Sequence, residues 1–296
     1  MSRLVLAAAL AAAVLACSTP VAHAAAGFPV TVTAANGKVV VKQRPTRIVS
    51  LSASATETLF ALGAGRQVIA VDDQSNFPAR APRTTLSGYR PNAEAVASYR
   101  PDLVVTSSAS NKLLPALRRL EIPVLLEPSA TTIGGAYSQM RQLGAATGHP
   151  RAARRLIART KRGIAAAVAS VPRARGLSVY HELSPDYYSA TSKTFIGRVY
   201  ALFGLRNVAD KAGGAGDYPQ LSGEYILAAD PDVVVLADTL CCKQTPAKVR
   251  ARPGWPSISA VRRNRVIAVS DDIASRWGPR IADFARIVAR VVARAT

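Results

Sequence analysis

The sequence predicts an α/β protein of two Rossmann-like lobes, each with a parallel central sheet, joined by one long bridging helix and with a ligand cleft between the lobes. Three observations predict this fold. Segments 92–105 and 222–235 repeat each other at an offset of 130 positions, and each shows a helix start, a Pro-Asp stop and an apolar β-branched run. Strand and helix patterns alternate in both halves, as in a parallel sheet covered by helices. Residues 151–171 form one longer amphipathic pattern between the halves.

The alternating patterns divide the chain into parts. We predict a signal peptide over residues 1–24, a first α/β lobe over 25–150, a bridging helix over 151–172 and a second α/β lobe over 173–296. A β-hairpin is expected within residues 28–45. Core strands are expected near residues 47–51, 68–71, 103–105 and 124–126 in the first lobe, and near 177–180, 233–236 and 266–269 in the second.

The amino terminus has the pattern of an export signal. Arg3 precedes an apolar run over residues 4–16, which is too short to span a bilayer. The small-x-small segment Ala22-His23-Ala24 predicts release of a soluble protein. The alternative is a lipobox ending at Cys17, a loose match that would leave a lipid anchor there. In both cases we predict an exported, periplasmic or extracytoplasmic protein.

The charge is strongly positive. The formal net charge is +20 at pH 7, and it falls to +19 without residues 1–24, which hold one arginine and no acid. Nucleic acid, anionic lipid and acidic small ligands are the usual partners of such a charge. The export signal, the scattered arginines and the lack of an aromatic-plus-basic cluster argue against nucleic acid.

Cysteine usage is sparse after the signal region. Cys241 and Cys242 are adjacent, and in an oxidising compartment they can close an eight-membered disulfide ring. Two reduced thiols in a loop are the alternative. Since no zinc or iron–sulfur spacing occurs, we expect no resident metal and no cofactor.

The sequence offers little for catalysis. His149 and His181 are the only histidines after residue 24, and His149 lies in a Gly-His-Pro turn. His181 ends a predicted strand before a loop with tyrosines, which is a better position for a site. No nucleophile elbow, His-Glu-x-x-His or phosphate-binding loop accompanies it. We therefore predict a binding protein and not an enzyme, with an exported hydrolase using His181 and a serine of residues 182–193 as the distant alternative.

Aromatic residues in the long loops are candidate ligand contacts. Rings on opposing walls of a cleft suit a large, flat or macrocyclic ligand. Phe77 and Trp255 are equally well explained as core residues. The candidates are Phe77 and Tyr89 in the first lobe and Tyr187, Tyr188, Tyr218 and Trp277 in the second.

Glu94 and Glu224 occupy matched positions in the two repeats. Each follows a capping residue, Asn92 or Ser222, and lies in the first turn of a predicted helix, where a carboxylate suits the helix dipole. Either glutamate alone is explained by that local effect. A matched pair in two lobes predicts a partner that touches both lobes at once.

Residues 46–294 resemble the metal-chelate class of periplasmic substrate-binding proteins, which serve ABC importers for vitamin B12, ferric siderophores and haem. No single motif carries the resemblance, but their order is specific. The motifs are Arg47-Ile-Val-Ser-Leu51, Thr56-Glu57, Ala61-Leu-Gly63, Asn92-Ala-Glu94, Pro101-Asp-Leu-Val104, Tyr218-Pro-Gln-Leu-Ser222 with Glu224, Pro231-Asp-Val-Val234 and Gly278-Pro-Arg-Ile281.

The resemblance implies a role for the matched glutamates. In this class one glutamate from each lobe pairs with arginines of the permease dimer, which corresponds to Glu94 and Glu224. The protein is then expected to act as a monomer that docks on its permease.

The resemblance is closest to the vitamin B12 binders, in which aromatics at the places of Tyr89 and Tyr218 flank the corrin ring. This chain has Tyr at both places, where Trp is more usual, so haem and ferric siderophores stay open as ligands. For haem, Tyr89 and His181 would be the axial ligands.

Overall fold

Two separate four-stranded parallel sheets organise the chain, as seen in a computed structural model that describes residues 27–110, 112–213 and 216–295. The predicted two-lobed α/β fold is confirmed. The predicted signal peptide and the alternative lipid anchor at Cys17 lie outside the described residues and stay predictions.

The first lobe begins with the predicted hairpin and continues into the first sheet. Asn36 lies at the hairpin turn, and its amide group bonds the backbone of the edge strand at Val124 O and Leu126 N. The hairpin strands are β1 (Val30–Ala34) and β2 (Gly37–Val41), and the sheet strands are β3 (Ile48–Leu51), β4 (Val68–Val71), β5 (Leu103–Thr106) and β6 (Val124–Leu126). The helices are α1 (Ala53–Leu62), α2 (Ala93–Ala97), α3 (Leu113–Arg119) and α4 (Ile133–Ala146).

The long helix between the sheets is α5 (Pro150–Ala169), which corresponds to the predicted bridging helix. Its apolar face is buried against α4 and the carboxyl-terminal helix, and its arginines point to solvent, as their spacing predicts. The buried residues include Leu156, Ile157 and Ile164, and the exposed arginines include Arg151, Arg155, Arg159 and Arg162.

The second lobe repeats the alternation of strands and helices. Its strands are β7 (Ser178–Glu182), β8 (Arg206–Asn207), β9 (Val233–Leu236) and β10 (Val266–Ala268). Its helices are α6 (Phe195–Leu202), α7 (Gly223–Ala229), α8 (Pro246–Arg250), α9 (Ser259–Arg262), α10 (Asp271–Ser275) and α11 (Ile281–Ala295). The sequence did not predict β8, because two residues are too short to show a periodic pattern.

Both sheets have the same strand order. The orders are β4-β3-β5-β6 and β8-β7-β9-β10, so the first strand of each sheet lies between the second and the third. In each lobe the chain therefore continues from the first strand toward one edge of the sheet and from the third strand toward the other edge. These strands are β3 and β5 in the first lobe and β7 and β9 in the second. Ligands of open α/β sheets bind at the carboxyl ends of the strands beside such a point.

The Pro-Asp pair of each repeat forms the same structural joint in both lobes. The Asp102 carboxylate accepts the backbone N–H groups of Thr46 and Arg47 at 2.7 and 2.9 Å, just before β3. Asp232, 130 positions later, accepts the N–H of Ser178 at 2.9 Å at the start of β7. Each aspartate thus fixes the first strand of its sheet, which explains part of the repeat without any ligand.

Candidate functional site

A cavity of about 490 Å³ lies where the carboxyl ends of the first sheet meet the second lobe. Ser52, Asp72 and Ser107 follow β3, β4 and β5 and line it from the first lobe. Leu240 with Cys241, and the segment from Asp271 to Trp277, line it from the second lobe. The predicted cleft between the lobes is therefore present, at the position that the strand order indicates.

A cluster of buried charges joins the lobes beside this cavity. Glu57 of α1 is almost fully buried and accepts from Arg276 Nη1 at 2.9 Å and from Arg280 Nε at 2.9 Å. Both arginines belong to the second lobe. Glu57 and Arg280 both lie in motifs that carry the family resemblance, but their pairing was not predictable, because no local pattern links positions so far apart in the chain.

The lining of the cavity is polar and has little free positive charge. Arg276 also donates to Asn76 Oδ1, to Gln74 O and to Asp272 Oδ1, at 2.6–2.9 Å, so both of its Nη atoms are engaged. Among the described residues, no other lysine or arginine lines the cavity. Hydroxyl and amide groups make up most of the remaining polar lining: Ser52, Ser54, Gln74, Asn76, Ser107, Ser129 and Ser275.

Asp72 is a buried carboxyl group in this lining. Burial is the main cause that raises the pKa of Asp72 above its usual range. A side chain at position 88 would force the Asp72 carboxyl group to move, because a Cβ on Gly88 would lie 2.5 Å from Asp72 Oδ2. Gly88 therefore lets the backbone before Tyr89 pass close to this carboxyl group.

Two of the predicted aromatic contacts line the cavity. Tyr89 is 83% exposed, so its ring is available to a ligand. Trp277 lines the cavity from the second lobe, and its Nε1 donates to Gln139 Oε1 at 2.8 Å. The structure thus brings one predicted aromatic from each lobe to the same cavity.

The other predicted aromatics lie outside the lining of this cavity. Phe77 lies under the Arg280 guanidinium, 4.3 Å from the ring centroid. Tyr187 stacks on Trp255, with ring centroids 6.1 Å apart. Tyr188 and Tyr218 are exposed on the loops that follow β7 and β8. Ligand contact by these four residues stays a prediction, whereas Trp255 is a buried core residue.

The placement of His181 corrects the sequence interpretation. Strand β7 extends to Glu182, so His181 lies within the sheet and is fully buried, where the sequence analysis expected it at the strand end. Its Nδ1 contacts the Tyr200 hydroxyl at 2.7 Å, and its ring packs against Phe284. Burial lowers the pKa of His181 to about 3, which keeps the ring neutral. In this position His181 can neither line the cleft nor reach haem iron or a substrate.

A buried ionic cluster of Glu182, Asp238 and Arg252 lies at the carboxyl ends of β7 and β9, and the sequence did not predict it. Glu182 receives two hydrogen bonds from Arg252, at 2.6 and 2.7 Å. Asp238, just after β9, is also fully buried, and both of its carboxylate oxygens lack a hydrogen-bond partner among the described residues. Burial, followed by the nearby Glu182 charge, raises the pKa of Asp238 to about 7. The one guanidinium nearby is bonded to Glu182, which favours a proton on Asp238.

A further buried carboxyl group lies beside the first-lobe wall. Glu127 directly follows β6 and is nearly inaccessible to water. With Ser52 and Trp277 it lines a small space next to the main cavity. Burial raises the pKa of Glu127 to about 8, so the group is mostly protonated at neutral pH.

Glu94 and Glu224 are exposed in matched first turns, as predicted. Asn92 Oδ1 accepts from Ala95 N at 2.9 Å and Ser222 Oγ from Tyr225 N at 3.1 Å, which caps α2 and α7. Hydrogen bonds from its own backbone N–H and from Ser222 lower the pKa of Glu224. Within the ranges that the structure describes, neither glutamate is in an ion pair, so both remain free to bind a partner's cations.

The described part of the chain contains no group of three or more His, Cys, Asp or Glu side chains arranged to hold a metal ion. None of the helices in the same ranges combines the length and the apolar character that crossing a bilayer requires.

Comparison with known proteins identifies the family. Residues 48–273 match the family described as periplasmic binding protein. The chain belongs to this family. The resemblance stated from the motifs is thereby confirmed, and the members of the family bind solutes and are not enzymes as a class.

Relatives of this periplasmic binding protein are found in bacteria and archaea. An uncharacterized ABC transporter substrate-binding lipoprotein, YvrC of Bacillus subtilis strain 168, is 32% identical over 266 residues, which cover 86% of this chain and 82% of that protein. A cobalamin-binding protein of Halobacterium salinarum strain R1 is 32% identical over 286 residues, which cover 92% and 77%. The apo structure of the periplasmic heme-binding protein RhuT from Roseiflexus sp. RS-1 superposes with a TM-score of 0.74 at 25% identity, covering 85% of this chain and all of that one.

Proposed function

We propose that this protein captures a corrinoid of the vitamin B12 type and delivers it to an ABC importer. The proposal is supported by membership of the periplasmic binding protein family. It is also supported by similarity to one relative named a cobalamin-binding protein and to another named an ABC transporter substrate-binding lipoprotein.

The chemistry of the interlobe cavity is the observation that favours a corrinoid. The single arginine of its lining, Arg276, is already bonded through both Nη atoms, and the other charged lining residues among those described are Asp72, Asp271 and Asp272. Such a surface cannot neutralise a polyanion. It suits a ligand rich in neutral amides, which donate to carboxylates and accept from hydroxyl groups, and whose flat ring contacts Tyr89 and Trp277.

A haem or a ferric siderophore is the alternative cargo within the same transport role. Similarity to the heme-binding protein RhuT and the positive net charge support it. The cavity argues against it, because haem propionates and catecholate or carboxylate chelates need cations that are not already paired. The burial of His181 also removes the histidine that the haem interpretation required.

The remaining parts of the proposal concern partners and location. The protein acts as an exported monomer, in the periplasm or on the outer side of the cell membrane, with a lipid anchor at Cys17 as the alternative form. Glu94 and Glu224 bind arginines of the permease dimer, one from each lobe, because an exposed carboxylate can make a bidentate bond with a guanidinium. It binds no nucleic acid, needs no cofactor and catalyses no reaction.

Spectroscopy of the exported protein tests the proposed cargo. Protein purified from its native envelope is examined by absorption and mass spectrometry, and apo protein is then titrated with cyanocobalamin, haemin and a ferric catecholate by calorimetry. We expect a corrinoid spectrum and one cyanocobalamin bound per chain, with a rise in melting temperature. Stoichiometric uptake of haemin with no response to cyanocobalamin would reverse the ranking of ligands. Turnover of esters or glycans without such binding would contradict the transport role and favour the hydrolase.

A further inference from the structure

The segment after β9 forms part of the second-lobe wall of the cavity and contains an unusual covalent feature. Cys241 and Cys242 are joined by a disulfide between neighbouring residues. Leu240 and Cys241 line the cavity, together with Tyr89 of the first lobe. Of the two states that the sequence left open for these cysteines, the structure has the oxidised one.

Two aspartates, Asp238 and Asp271, hold this segment in place. The Asp271 carboxylate, at the start of α10, accepts the N–H groups of Leu240 and Cys241, each at 2.9 Å, and the Thr239 hydroxyl at 3.0 Å. The Asp238 carbonyl accepts the N–H groups of Cys242 and Gln244, at 3.2 and 3.3 Å. The segment is therefore anchored on both sides before any ligand arrives.

The surface that this anchored segment presents to the cavity is apolar. Leu240 is 48% exposed, and Cys241 is also exposed. A disulfide has no S–H group to donate or to ionise, and its sulfur atoms are soft and polarizable, which suits contact with a π-system. Most of the remaining lining offers hydroxyl, amide or carboxylate groups, so this patch differs from its surroundings.

We propose that Leu240 and the Cys241–Cys242 disulfide form an apolar subsite that packs against the face of a flat metal-binding macrocycle, while Tyr89 contacts the ligand from the first lobe. This inference rests on the proposed function and extends it. The ring that the disulfide closes, together with the two anchors, orders the wall in advance, so that binding loses less conformational freedom than it would at a mobile loop.

Paired variants in the exported protein test the subsite. Cys241→Ser/Cys242→Ser removes the disulfide, and Leu240→Ala removes the neighbouring apolar side chain while leaving the disulfide intact. We expect each to raise the Kd for cyanocobalamin by about tenfold in calorimetric titration, with the stoichiometry unchanged. The matched control is Leu120→Ala, because Leu120 is 57% exposed and lies outside the cavity. Its Kd should equal that of the unsubstituted protein.

The outcomes separate the subsite from the transport role. If the unsubstituted protein binds haemin instead of cyanocobalamin, the same comparison is made with haemin. Unchanged affinity in both cavity variants overturns the subsite and leaves the proposed function intact. Alkylation of both Cys241 and Cys242 in unreduced, unfolded protein, found by peptide mass mapping, also overturns it, since the thiols would then be free. If the unsubstituted protein binds neither macrocycle, the proposed function fails and the subsite fails with it.

Discussion

Arg276 donates a hydrogen bond to Glu57 across 2.9 Å and thereby joins side chains that are 219 positions apart in the chain. Glu57 lies in α1 of the first lobe, and Arg276 lies between α10 and α11 of the second. Both are buried, and Arg280 shares the same carboxylate. One buried acid with two guanidinium partners therefore contributes to fixing the relative position of the lobes beside the cavity.

Glu57→Gln should lower the free energy of unfolding by about 3–5 kcal/mol, because it leaves the largely buried Arg280 guanidinium without an ion-pair partner among the described residues and leaves Arg276 with Asp272 alone. Urea denaturation followed by circular dichroism measures the change. Glu94→Gln is the matched control, since Glu94 is exposed and its replacement should cost little. Equal stability of the two variants would show that the interlobe ion pairs do not hold the fold.

Glu94→Ala and Glu224→Ala should leave the affinity for cyanocobalamin nearly unchanged and should reduce uptake by the importer, because both carboxylates are exposed at helix starts and neither lines the cavity. The double variant should be worse than either single one. Calorimetry and transport into vesicles that contain the permease provide the two measurements. Glu121→Ala is the exposed control, and a loss of ligand affinity in the Glu94 or Glu224 variants would contradict the docking role.

Tyr89→Ala should weaken ligand binding by about 1–3 kcal/mol, the range for loss of a large aromatic contact. Stability should hardly change, because 83% of the residue is exposed. Tyr218→Ala is expected to act in the same direction if the second-lobe loops close over the ligand. Tyr89→Phe keeps the ring and should bind a corrinoid normally, whereas an axial haem ligand would be lost with the hydroxyl. Normal binding by Tyr89→Ala would place the site elsewhere.

Glu127→Gln should flatten the dependence of stability on pH. The pKa of Glu127 is raised from 4.5 to about 8 by burial, so between these values the folded protein holds a proton that the unfolded chain has released. The free energy of unfolding therefore falls as the pH rises toward 8, by up to about 5 kcal/mol in total. Urea denaturation from pH 5 to pH 8 should show a smaller loss for the variant than for the unsubstituted protein. Glu121→Gln, at an exposed site, should keep the pH dependence of the unsubstituted protein. An equal dependence of stability on pH in all three proteins would contradict the raised pKa of Glu127.

His181→Ala should destabilise the fold by about 2–4 kcal/mol, because it opens a space beside Phe284 and removes the partner of the Tyr200 hydroxyl. Ligand binding should persist at temperatures where the variant is folded, and the Soret band of any haemin complex should not move. His149→Ala is the control at a more exposed histidine. A Soret shift in the His181 variant alone would return this residue to the site.

Much of the fold was predictable from the sequence because its causes are local. Strands of a doubly covered parallel sheet appear as apolar β-branched runs, and the caps at Asn92 and Ser222 lie next to the helices that they start. The repeat at an offset of 130 marked one such unit in each sheet. For the same reason Glu94 and Glu224 could be placed in exposed first turns, and Tyr89 in a loop at a strand end.

The tertiary structure alone decided which distant side chains meet. The pairing of Glu57 with Arg276 and Arg280, and of Glu182 with Arg252, depends on how elements pack and not on any spacing along the chain. His181 was misplaced because β7 continues to Glu182, which puts the His181 side chain within the sheet and in the core instead of at the cleft edge. Local propensity therefore determined the elements and their order, whereas burial and charge pairing across the packed lobes determined the walls of the cavity.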